Sequence, residues 1–481
     1  MSRINTNVSS LIAVNNLNKN NTSLQTSLER LSTGYRINSG KDDPAGLIAS
    51  ESLQAEQTAT STAINNAQQA NNIIGTAEGS LGEISNLLVS LQGLVGDAAN
   101  SAGLSQDEKN ADQLQVDSIL QTVNRISNSA SFQGVKLLNG TFDYATSGLN
   151  STSGFTSVSI NSANVGATAL SVSVAVIASA QTGQLNFLGS STGLSGTATV
   201  SVAGNVGTVQ LSFTSGTSGA TIVATVNQFT DSTGVQATLS SDSKSVKFTS
   251  TGYGANSFVT ISSNNTSALS TKDTKGVTQS TVKGRNATVT VNGTAVQSDG
   301  LNLNVVTADF QASFTLNSTA NKNGASKTFG VTGGGATFSL GAQVNTANTA
   351  SIGIGNINTG SIGKYVSNGT LYSLADLGSG KAAAVNSGDT GLAQNIVNKA
   401  IQDVSNLRGR LGAFQQNVLG STIDSLNVAL ENVSSSESSI RDTDFATETA
   451  NLTRNQILVQ AATSVLSTAN SSPQNVLKLL G

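Results

Sequence analysis

The sequence lacks cysteine and histidine altogether, although it is 481 residues long. Without cysteine the protein has no disulfide, thiolate nucleophile or cysteine-bound metal. Without histidine it lacks the commonest general base and the commonest metal ligand. Enzymatic chemistry would have to depend on carboxylates, lysine or tyrosine, so we expect neither catalysis nor a bound cofactor or metal ion.

Charge and long apolar runs are also scarce. Only 11% of the residues are Asp, Glu, Lys or Arg, and the net charge is -3. This excludes the dense basic face of a nucleic-acid binder and argues against a polybasic membrane attachment. No run is long enough to span a membrane, and residues 11–14 are too short for the apolar core of a cleavable signal peptide. We therefore expect a protein that is cytosolic, or exported by a route that reads no hydrophobic signal.

What the sequence does contain is two long heptad patterns, one towards each end. The first comprises Ala63, Ala67, Ala70, Ile74, Ala77, Leu81, Ile84, Leu88, Leu91, Val95 and Ala98. The second comprises Ala393, Val397, Ala400, Val404, Leu407, Leu411, Phe414 and Val418, and then slips by one residue to continue as Leu419, Ile423, Leu426, Leu430 and Val433. Such spacing places the side chains on a narrow helical stripe that only another helix can bury. The two ends of the chain are predicted to pack together.

Capping signals give the helix boundaries. Asp43 followed by Pro44 indicates a helix start and predicts a long helix over residues 44 to about 100. Ser105 and Glu108 have the spacing of a capping box, which predicts a second helix. The side chains of this helix that are expected to face inward are Val116, Leu120, Val123 and Ile126. A later helix is predicted over about 391–433, with an interruption at the serine-rich residues 434–439.

Both extreme termini are predicted to be amphipathic helices. For the N-terminal one the sequence fits equally well a segment that stays unfolded in the free subunit until it finds a partner, because five asparagines lie between residues 15 and 21. The N-terminal stripe contains Ile4, Val8, Leu11, Val14, Leu17, Leu24, Leu28 and Leu31, with a one-residue slip after Leu11. The C-terminal stripe contains Phe445, Leu452, Val459, Ala462, Leu466, Ala469, Val476 and Leu480.

The middle of the chain has a different composition, rich in Ser, Thr, Gly, Val and Asn. Alternating apolar and polar residues there predict strands. The predicted strands are residues 171–176, 197–202, 208–213, 245–249, 258–261, 287–291, 301–305 and 310–316, with a short one at 336–340. Asn292 and Gly293 form a two-residue hairpin signal, because both accept a positive φ. The abundant Ser and Thr residues fit a glycosylated surface and a plain solvated β surface equally well.

Several motifs near the two ends resemble those of bacterial flagellin. At the N-terminal end they are residues 4–7 (INTN), 31–39 (LSTGYRINS), 41–43 (KDD), 45–47 (AGL) and 132–138 (FQGVKLL). At the C-terminal end they are residues 410–413 (RLGA), 439–446 (SIRDTDFA), Gln460 with Ala461, Ala469 with Asn470, and 473–477 (PQNVL). Together they cover about residues 1–145 and 336–481.

The resemblance implies an elongated, multidomain filament subunit. Its fold would be mainly α at both ends, with long antiparallel helices and coiled-coil termini, around a large inserted all-β region. We expect residues 1–40 with 436–481 to form the terminal coiled-coil domain. Residues 41–147 with 336–435 would form a helical-bundle domain with a β-hairpin. Residues 148–335 would be a surface-exposed variable insertion, with one or two subdomains.

The resemblance also implies partners and a location. The subunit would polymerise into the bacterial flagellar filament, transmit motor torque for swimming, and leave the cell through a flagellum-specific type III channel without a cleavable signal peptide. Hook-associated junction proteins, a cap complex and an export chaperone on residues 452–480 would be its partners. Toll-like receptor 5 is expected to sense it poorly, because Ser90, Gln92 and Gly93 stand where many sensed flagellins carry arginine and glutamate. The alternatives are a hook–filament junction protein and a secreted coiled-coil adhesin.

Two groups of residues are expected to carry this function: apolar residues on the helical seams, and a few arginine and aspartate residues. The seam residues for helix packing and polymerisation are Ile4, Val8, Leu11, Leu24, Leu28, Leu31, Ile74, Leu81, Ile84, Leu88, Leu91, Val95, Val404, Leu407, Leu411, Phe414, Val418, Leu452, Val459, Leu466, Val476 and Leu480. The candidate ion pairs between subunits involve Arg36, Arg408, Arg410, Arg441, Asp442 and Asp444. Acidic pairs such as Asp42 with Asp43 are interpreted as helix caps and turns rather than catalytic carboxylates.

Overall fold

The computed structural model describes residues 6–100, 103–149, 154–163, 165, 169–188, 193–240, 245–307, 310–367, 370–387 and 389–480, except for the side chains of 387 and 473–480. Of the predicted seam residues, Ile4 and the side chains of Val476 and Leu480 therefore lie outside the described part. No helix among the described residues combines the length and apolarity needed to cross a membrane.

Helices occupy both ends of the chain. They are α1 Val8–Thr33, α2 Pro44–Ala99, α3 Gln106–Ser129, α4 Gly219–Asn227, α5 Thr230–Thr233, α6 Thr390–Ala413, α7 Ser421–Arg441 and α8 Phe445–Leu480. A π-helical segment, Phe414–Gly420, joins α6 to α7. The predicted start of α2 at Pro44 is confirmed, because the Asp43 carboxylate accepts a bond from the amide of Gly46 at 2.9 Å. The capping box of Ser105 and Glu108 is also confirmed.

Strands fill the middle of the chain. They are β1 Ser131–Phe132, β2 Val135–Lys136, β3 Tyr144–Ser147, β4 Phe155–Ala163, β5 Leu170–Ala178, β6 Gln184–Leu188, β7 Ala198–Ala203, β8 Thr208–Phe213, β9 Val235–Leu239, β10 Ser245–Ser250, β11 Phe258–Ser263, β12 Thr271–Lys272, β13 Thr281–Lys283, β14 Thr288–Val291, β15 Thr294–Asp299, β16 Asn302–Val306, β17 Phe310–Leu316, β18 Ser326–Gly334, β19 Ala336–Ser339, β20 Thr349–Ile352, β21 Tyr365–Ser367 and β22 Thr370–Tyr372. Every strand predicted from alternation is confirmed to within two residues.

The chain forms two compact units. The first contains the described residues of 1–68, 339–348 and 420–481, and the second those of 69–338 and 349–419. In the first unit α1 and α8 run antiparallel: the amide of Asn7 donates to the carbonyl of Ala469 at 2.7 Å, and that of Asn20 donates to the carbonyl of Leu458 at 3.3 Å. The first unit thus pairs the two ends of the sequence, as the apolar stripes predict.

The second unit holds the seam between the remaining parts of α2 and α6. Bonds from Arg408 to Glu78 and from Gln92 to Asn398 show that the two helices are antiparallel. All predicted seam residues of α2 from Ala70 onward, and those of α6 from Ala393 to Leu411, are buried. Three of the four side chains predicted to face inward from α3 are buried too, and the fourth, Ile126, is half-buried. The prediction that distant parts of the chain share a packed helical seam is confirmed.

The β region has two hydrophobic cores. An antiparallel sheet in the order β3-β18-β5-β14-β15-β16-β17-β4 surrounds one core, in which the rings of Phe155, Phe314 and Phe329 meet edge to face at 5.5–6.0 Å. Two four-stranded sheets, β12-β6-β10-β9 and β13-β11-β7-β8, enclose the other core together with α4. The second core is formed by residues between 185 and 269, inside the sequence that builds the first.

One predicted break in the helices is wrong. Residues 434–439 do not interrupt the C-terminal helix, since α7 continues to Arg441. The hydroxyls of Ser436 and Ser439 donate to the carbonyls of Asn432 and Ser436, so these serines satisfy their polar groups on the helix itself. A run of serines lowers helix propensity without ending the helix.

The hairpin at Asn292 and Gly293 gives a test of local backbone strain. Both residues have positive φ, 49° and 83°, between β14 and β15, and a Cβ at Gly293 would meet no atom within 4 Å. We expect Gly293→Val to lower the free energy of unfolding of the β region by about 1–2 kcal/mol through left-handed strain alone. Gly293→Asn should cost less, because asparagine tolerates this conformation. Calorimetry of the two variants checks this, and equal losses would contradict it.

Candidate assembly surface

The inner face of the α1/α8 pair contains small and half-buried side chains. Ala13 and Ser27 are the buried residues of α1, and the amide of Asn455 donates to the Ser27 hydroxyl at 3.2 Å. Five predicted seam residues are half-buried on this inner face: Leu24, Leu31, Leu452, Val459 and Leu466. The pair is therefore narrow, and it buries only one stripe of each helix.

The same pair also carries large apolar side chains that are exposed in the single chain. We call this set the outer apolar face. It comprises Val8, Leu11, Ile12, Val14 and Leu28 of α1, and Phe445, Ile457, Leu458 and Val465 of α8. Each is between 36% and 60% exposed. Val8, Leu11 and Leu28 were expected to serve helix packing and polymerisation, and in the single chain they are exposed. The structure turns them outward because the contact with α8 uses Ala13 and Ser27 instead.

The prediction missed four members of the outer apolar face, namely Ile12, Ile457, Leu458 and Val465. They fall between the heptad positions, and a search restricted to one stripe ignores them. The signal that could have found them is the presence of large apolar residues outside the heptad stripe of each terminal helix. A helix with apolar residues on two faces needs two partners.

The buried seam residues cannot take part in contacts between copies without unfolding the helices. Ile74, Leu81, Ile84, Leu88, Leu91, Val95, Val404, Leu407 and Leu411 are at most 4% exposed. Phe414 and Val418 are only half-buried, while Leu419 is fully buried. The seam therefore passes from one heptad phase to the next inside the π-helical segment.

Arg36 and Arg441 lie where the connectors on either side of the α1/α8 pair cross. Tyr35 forms a β-bridge with Asp442, and the Arg441 guanidinium stacks on the Tyr35 ring at 4.5 Å from its centre. Arg36 donates to the carbonyl of Ile440. Arg441 also lies 3.9 Å from Glu437. Each arginine thus has an intrachain partner, and a role in pairing between subunits stays a prediction.

The acidic residues at this crossing act as caps. Asp444 accepts bonds from the amide of Ala446 and the hydroxyl of Thr447 at the start of α8. The Thr447 hydroxyl bond is the main reason that the pKa of Asp444 is lowered. In the same way a bond from the Ser39 hydroxyl holds the pKa of Asp42 below its ordinary value. Asp442 accepts a bond from the hydroxyl of Ser438 at 2.6 Å.

Arg408 and Arg410 also bind within the chain, in the second unit. Arg408 forms two bonds with the carboxylate of Glu78, at 2.7 and 2.9 Å. The Arg410 guanidinium donates to the side chain of Asn161 and to the carbonyl of Gly353. Burial lowers the pKa of Arg410 and raises the pKa of the nearby Asp143 carboxyl. Arg410 therefore ties α6 to β4 and to the segment that follows β20.

Across the part of the chain that the structure describes, no group of three or more carboxylates is placed to hold a metal ion. The arginines and aspartates described above cap helices or connect elements within the chain. The outer apolar face is the surface that a partner could cover.

The chain matches two family models. The model of the bacterial flagellin N-terminal helical region covers residues 4–143, and that of the C-terminal helical region covers residues 394–480. Flagellin D of Vibrio anguillarum is 31% identical over 489 residues, and the B-type flagellin of Pseudomonas aeruginosa is 33% identical over 502 residues. Each alignment covers 99% of both chains.

Solved structures match more loosely. FliC from Burkholderia pseudomallei is 17% identical with a TM-score of 0.24, over 72% of this chain and 99% of that one, and we base no argument on it. The sequence matches extend from end to end, through the helical termini and the β region between them. On that full-length similarity, the chain belongs to the bacterial flagellin family, whose members are the structural subunits of the flagellar filament.

Proposed function

We propose that copies of this filament subunit assemble through the outer apolar face of the α1/α8 pair. The observation that carries the proposal is the exposure of nine large apolar side chains on two helices that already bury each other's inner stripe. Exposed apolar patches of this kind mark interaction sites on soluble proteins. Burial against further copies would stabilise the assembly by roughly 25 cal/mol for each Å² of apolar surface covered.

Helix α7 supports the same proposal. None of its residues, all of which the structure describes, is buried, and Val428 is 58% exposed. Its apolar residues Ile423, Leu426, Leu430 and Val433 are only half-buried in the single chain, so part of their surface is left to cover. Further copies would supply the missing contacts. When one patch of a copy binds a different patch of the next copy, the same contact can repeat along a row of copies. If the rotation from copy to copy does not close a ring, the row grows into a helical filament.

The division into domains is part of the proposal. Residues 1–40 with 436–481 would form the coiled-coil core of the filament, and 41–147 with 336–435 the surrounding helical layer. Residues 148–335 would form the outer surface. The two hydrophobic cores of the β region support two subdomains in this insertion. Both cores are closed without the terminal helices, so the insertion needs none of the contacts that assembly uses.

Export and capping partners follow from the family. We propose that an extracellular filament forms after export without a cleavable signal, with junction and cap proteins at its ends and a chaperone on residues 452–480 before export. The exposed Ile457, Leu458 and Val465 support the chaperone site, since a helix with an uncovered apolar face requires protection before assembly. The junction-protein and adhesin alternatives are not favoured, because the full-length relatives are flagellins.

Weak recognition by Toll-like receptor 5 is a separate expectation. Gln92 donates from its amide to Asn398 at 3.0 Å, and Ser90 bonds back to Asn86. Neither side chain carries the positive charge of an arginine, whose guanidinium can form two parallel hydrogen bonds with a carboxylate. Purified monomer should activate receptor-bearing cells less than an arginine-bearing flagellin does. Equal activation at equal monomer concentration would contradict this.

Truncation tests the proposed assembly. A chain without its first thirty and last forty residues keeps the buried α2/α6 seam and both β cores but loses the whole outer apolar face. We expect it to remain a folded monomer under seeding and salting-out conditions in which the full chain forms filaments. Electron microscopy of both proteins gives the answer, and long filaments from the truncated chain would overturn the proposal.

A further inference from the structure

The sequence contains four Asn-Gly pairs, which begin at Asn139, Asn292, Asn323 and Asn368. Asparagine before glycine can react with the chain that carries it, because glycine has no Cβ to keep its backbone nitrogen away from the asparagine side chain. The pairs at 139 and 292 are both followed by threonine, so a difference in reactivity between these two comes mainly from the fold. Asn368 lies outside the described residues.

The side chain of Asn139 is folded back onto its own chain. Its carbonyl oxygen accepts one bond from the backbone amide of Thr141 at 3.1 Å and another from the Thr141 hydroxyl at 2.7 Å. A bond to the amide two residues further on forms an Asx-turn, which brings the side-chain carbonyl carbon close to the intervening Gly140 nitrogen. Both donors lie at the distances of an oxyanion hole, which stabilises the charge that a carbonyl oxygen gains when its carbon is attacked.

The two nitrogens that take part in such an attack are free to react. Within the described part of the chain, neither the backbone amide of Gly140 nor the side-chain NH2 group of Asn139 donates a hydrogen bond. The main chain beside them is fixed, since the carbonyl of Leu138 accepts bonds from the Ser127 hydroxyl at 2.9 Å and the backbone amide of Ile357 at 3.0 Å. A nucleophile and a leaving group are therefore held at a polarised carbonyl.

The other two described pairs lack this arrangement. The side chain of Asn292 extends to β5, where its oxygen accepts a bond from the backbone amide of Ser173 at 2.8 Å and its NH2 group donates to a carbonyl of the same strand at 3.3 Å. At Asn323 the nucleophile is engaged, because the backbone amide of Gly324 donates to the carbonyl of Val176 at 2.8 Å. Asn139 is thus the most reactive of the three by geometry.

We propose that Asn139 is a site of self-modification by deamidation, which does not depend on the proposed assembly. The Gly140 nitrogen loses its proton to a base in the solvent and bonds to the side-chain carbonyl carbon of Asn139, while the two Thr141 donors hold the oxygen. The bond from that carbon to the side-chain nitrogen breaks, and the nitrogen takes up a proton and leaves as ammonia. A succinimide ring remains.

Water then opens the succinimide ring. Cleavage of the ring nitrogen from the side-chain carbon gives aspartate, and its cleavage from the backbone carbonyl carbon gives isoaspartate. Either product carries a new carboxyl group at residue 139, so each copy of the chain records its age there.

Peptide mass spectrometry of protein aged in mildly alkaline buffer tests the site, with Asn292 as the matched control in the same molecule. We expect the peptide with Asn139 to deamidate at least about fivefold faster than the peptide with Asn292, the factor that one net hydrogen bond supplies. In urea-unfolded protein the two should react at similar rates. Equal rates in the folded protein, or the same advantage of Asn139 in urea, would overturn the proposal.

Substitution of Thr141 tests the donors to the Asn139 oxygen. Thr141 is exposed, so Thr141→Val removes the hydroxyl bond with little other effect on the fold. Asn139 should then deamidate about fivefold more slowly, whereas Thr141→Ser keeps a hydroxyl and should keep the rate. An unchanged rate in Thr141→Val, or an equal loss in Thr141→Ser, would contradict the assigned role of the hydroxyl.

Discussion

Leu11→Asp stops filament growth and leaves the monomer folded: this is the result that we expect if the outer apolar face carries assembly. Leu11 is 57% exposed on α1, so the aspartate is solvated in the free chain. On assembly it would be buried among apolar side chains, at a cost of several kcal/mol. Since about 1.4 kcal/mol is a factor of ten, the critical concentration should rise at least about 100-fold. Sedimentation after seeding measures it.

Asn18→Asp is the control for this substitution. It places the same charge on an exposed polar position of the same helix. We expect growth close to that of the unaltered protein, and circular dichroism of both monomers should show equal helicity. If Leu11→Asp grew at the unaltered critical concentration, the outer apolar face would have no part in assembly.

Leu88→Ala should produce the largest loss of monomer stability. Leu88 is fully buried in the α2/α6 seam, and truncating a buried leucine removes its burial and leaves a cavity. Such changes cost about 2–5 kcal/mol. Urea unfolding of monomeric protein, followed by far-UV circular dichroism, should show a lower midpoint for the helical transition.

The neighbouring residue provides the comparison. Val89 is 57% exposed, so Val89→Ala removes little buried surface and should change the free energy of unfolding by no more than about 0.5 kcal/mol. A loss from Val89→Ala as large as that from Leu88→Ala would show that this part of α2 is covered on a face that the structure leaves open.

The helical part of the fold could be predicted because two local signals determine it, the spacing of apolar residues and the capping residues. Small and large apolar residues at steps of three and four fix one stripe, and Asp43 with Pro44 fixes a start. Even the slip after Val418 was visible in the sequence, although not its form as a π-helix. The sequence could not show which stripe of α1 meets α8, because Ala13 and Ser27 carry little apolar signal.

The β region was predicted less completely. Strands β4 and β18 were missed because one is rich in serine and the other contains three glycines, and long-range pairing rather than local preference makes them strands. Helix α4 (GATIVATVN) contains β-branched residues that favour a strand. Its capping residue Ser218 and its buried Ile222 and Val226 make it a helix instead.

The pairing of Asn7 with Ala469 joins residues 462 positions apart, which bears on timing. A contact so distant along the sequence cannot form on a chain that is still being synthesised or threaded, because its second half is not yet present. The surface that we propose binds other copies is therefore completed last. A partly exported chain lacks α8 and cannot yet form the α1/α8 pair. Because the two paired helices lie at opposite ends of the sequence, polymerisation is delayed until the whole chain has been exported.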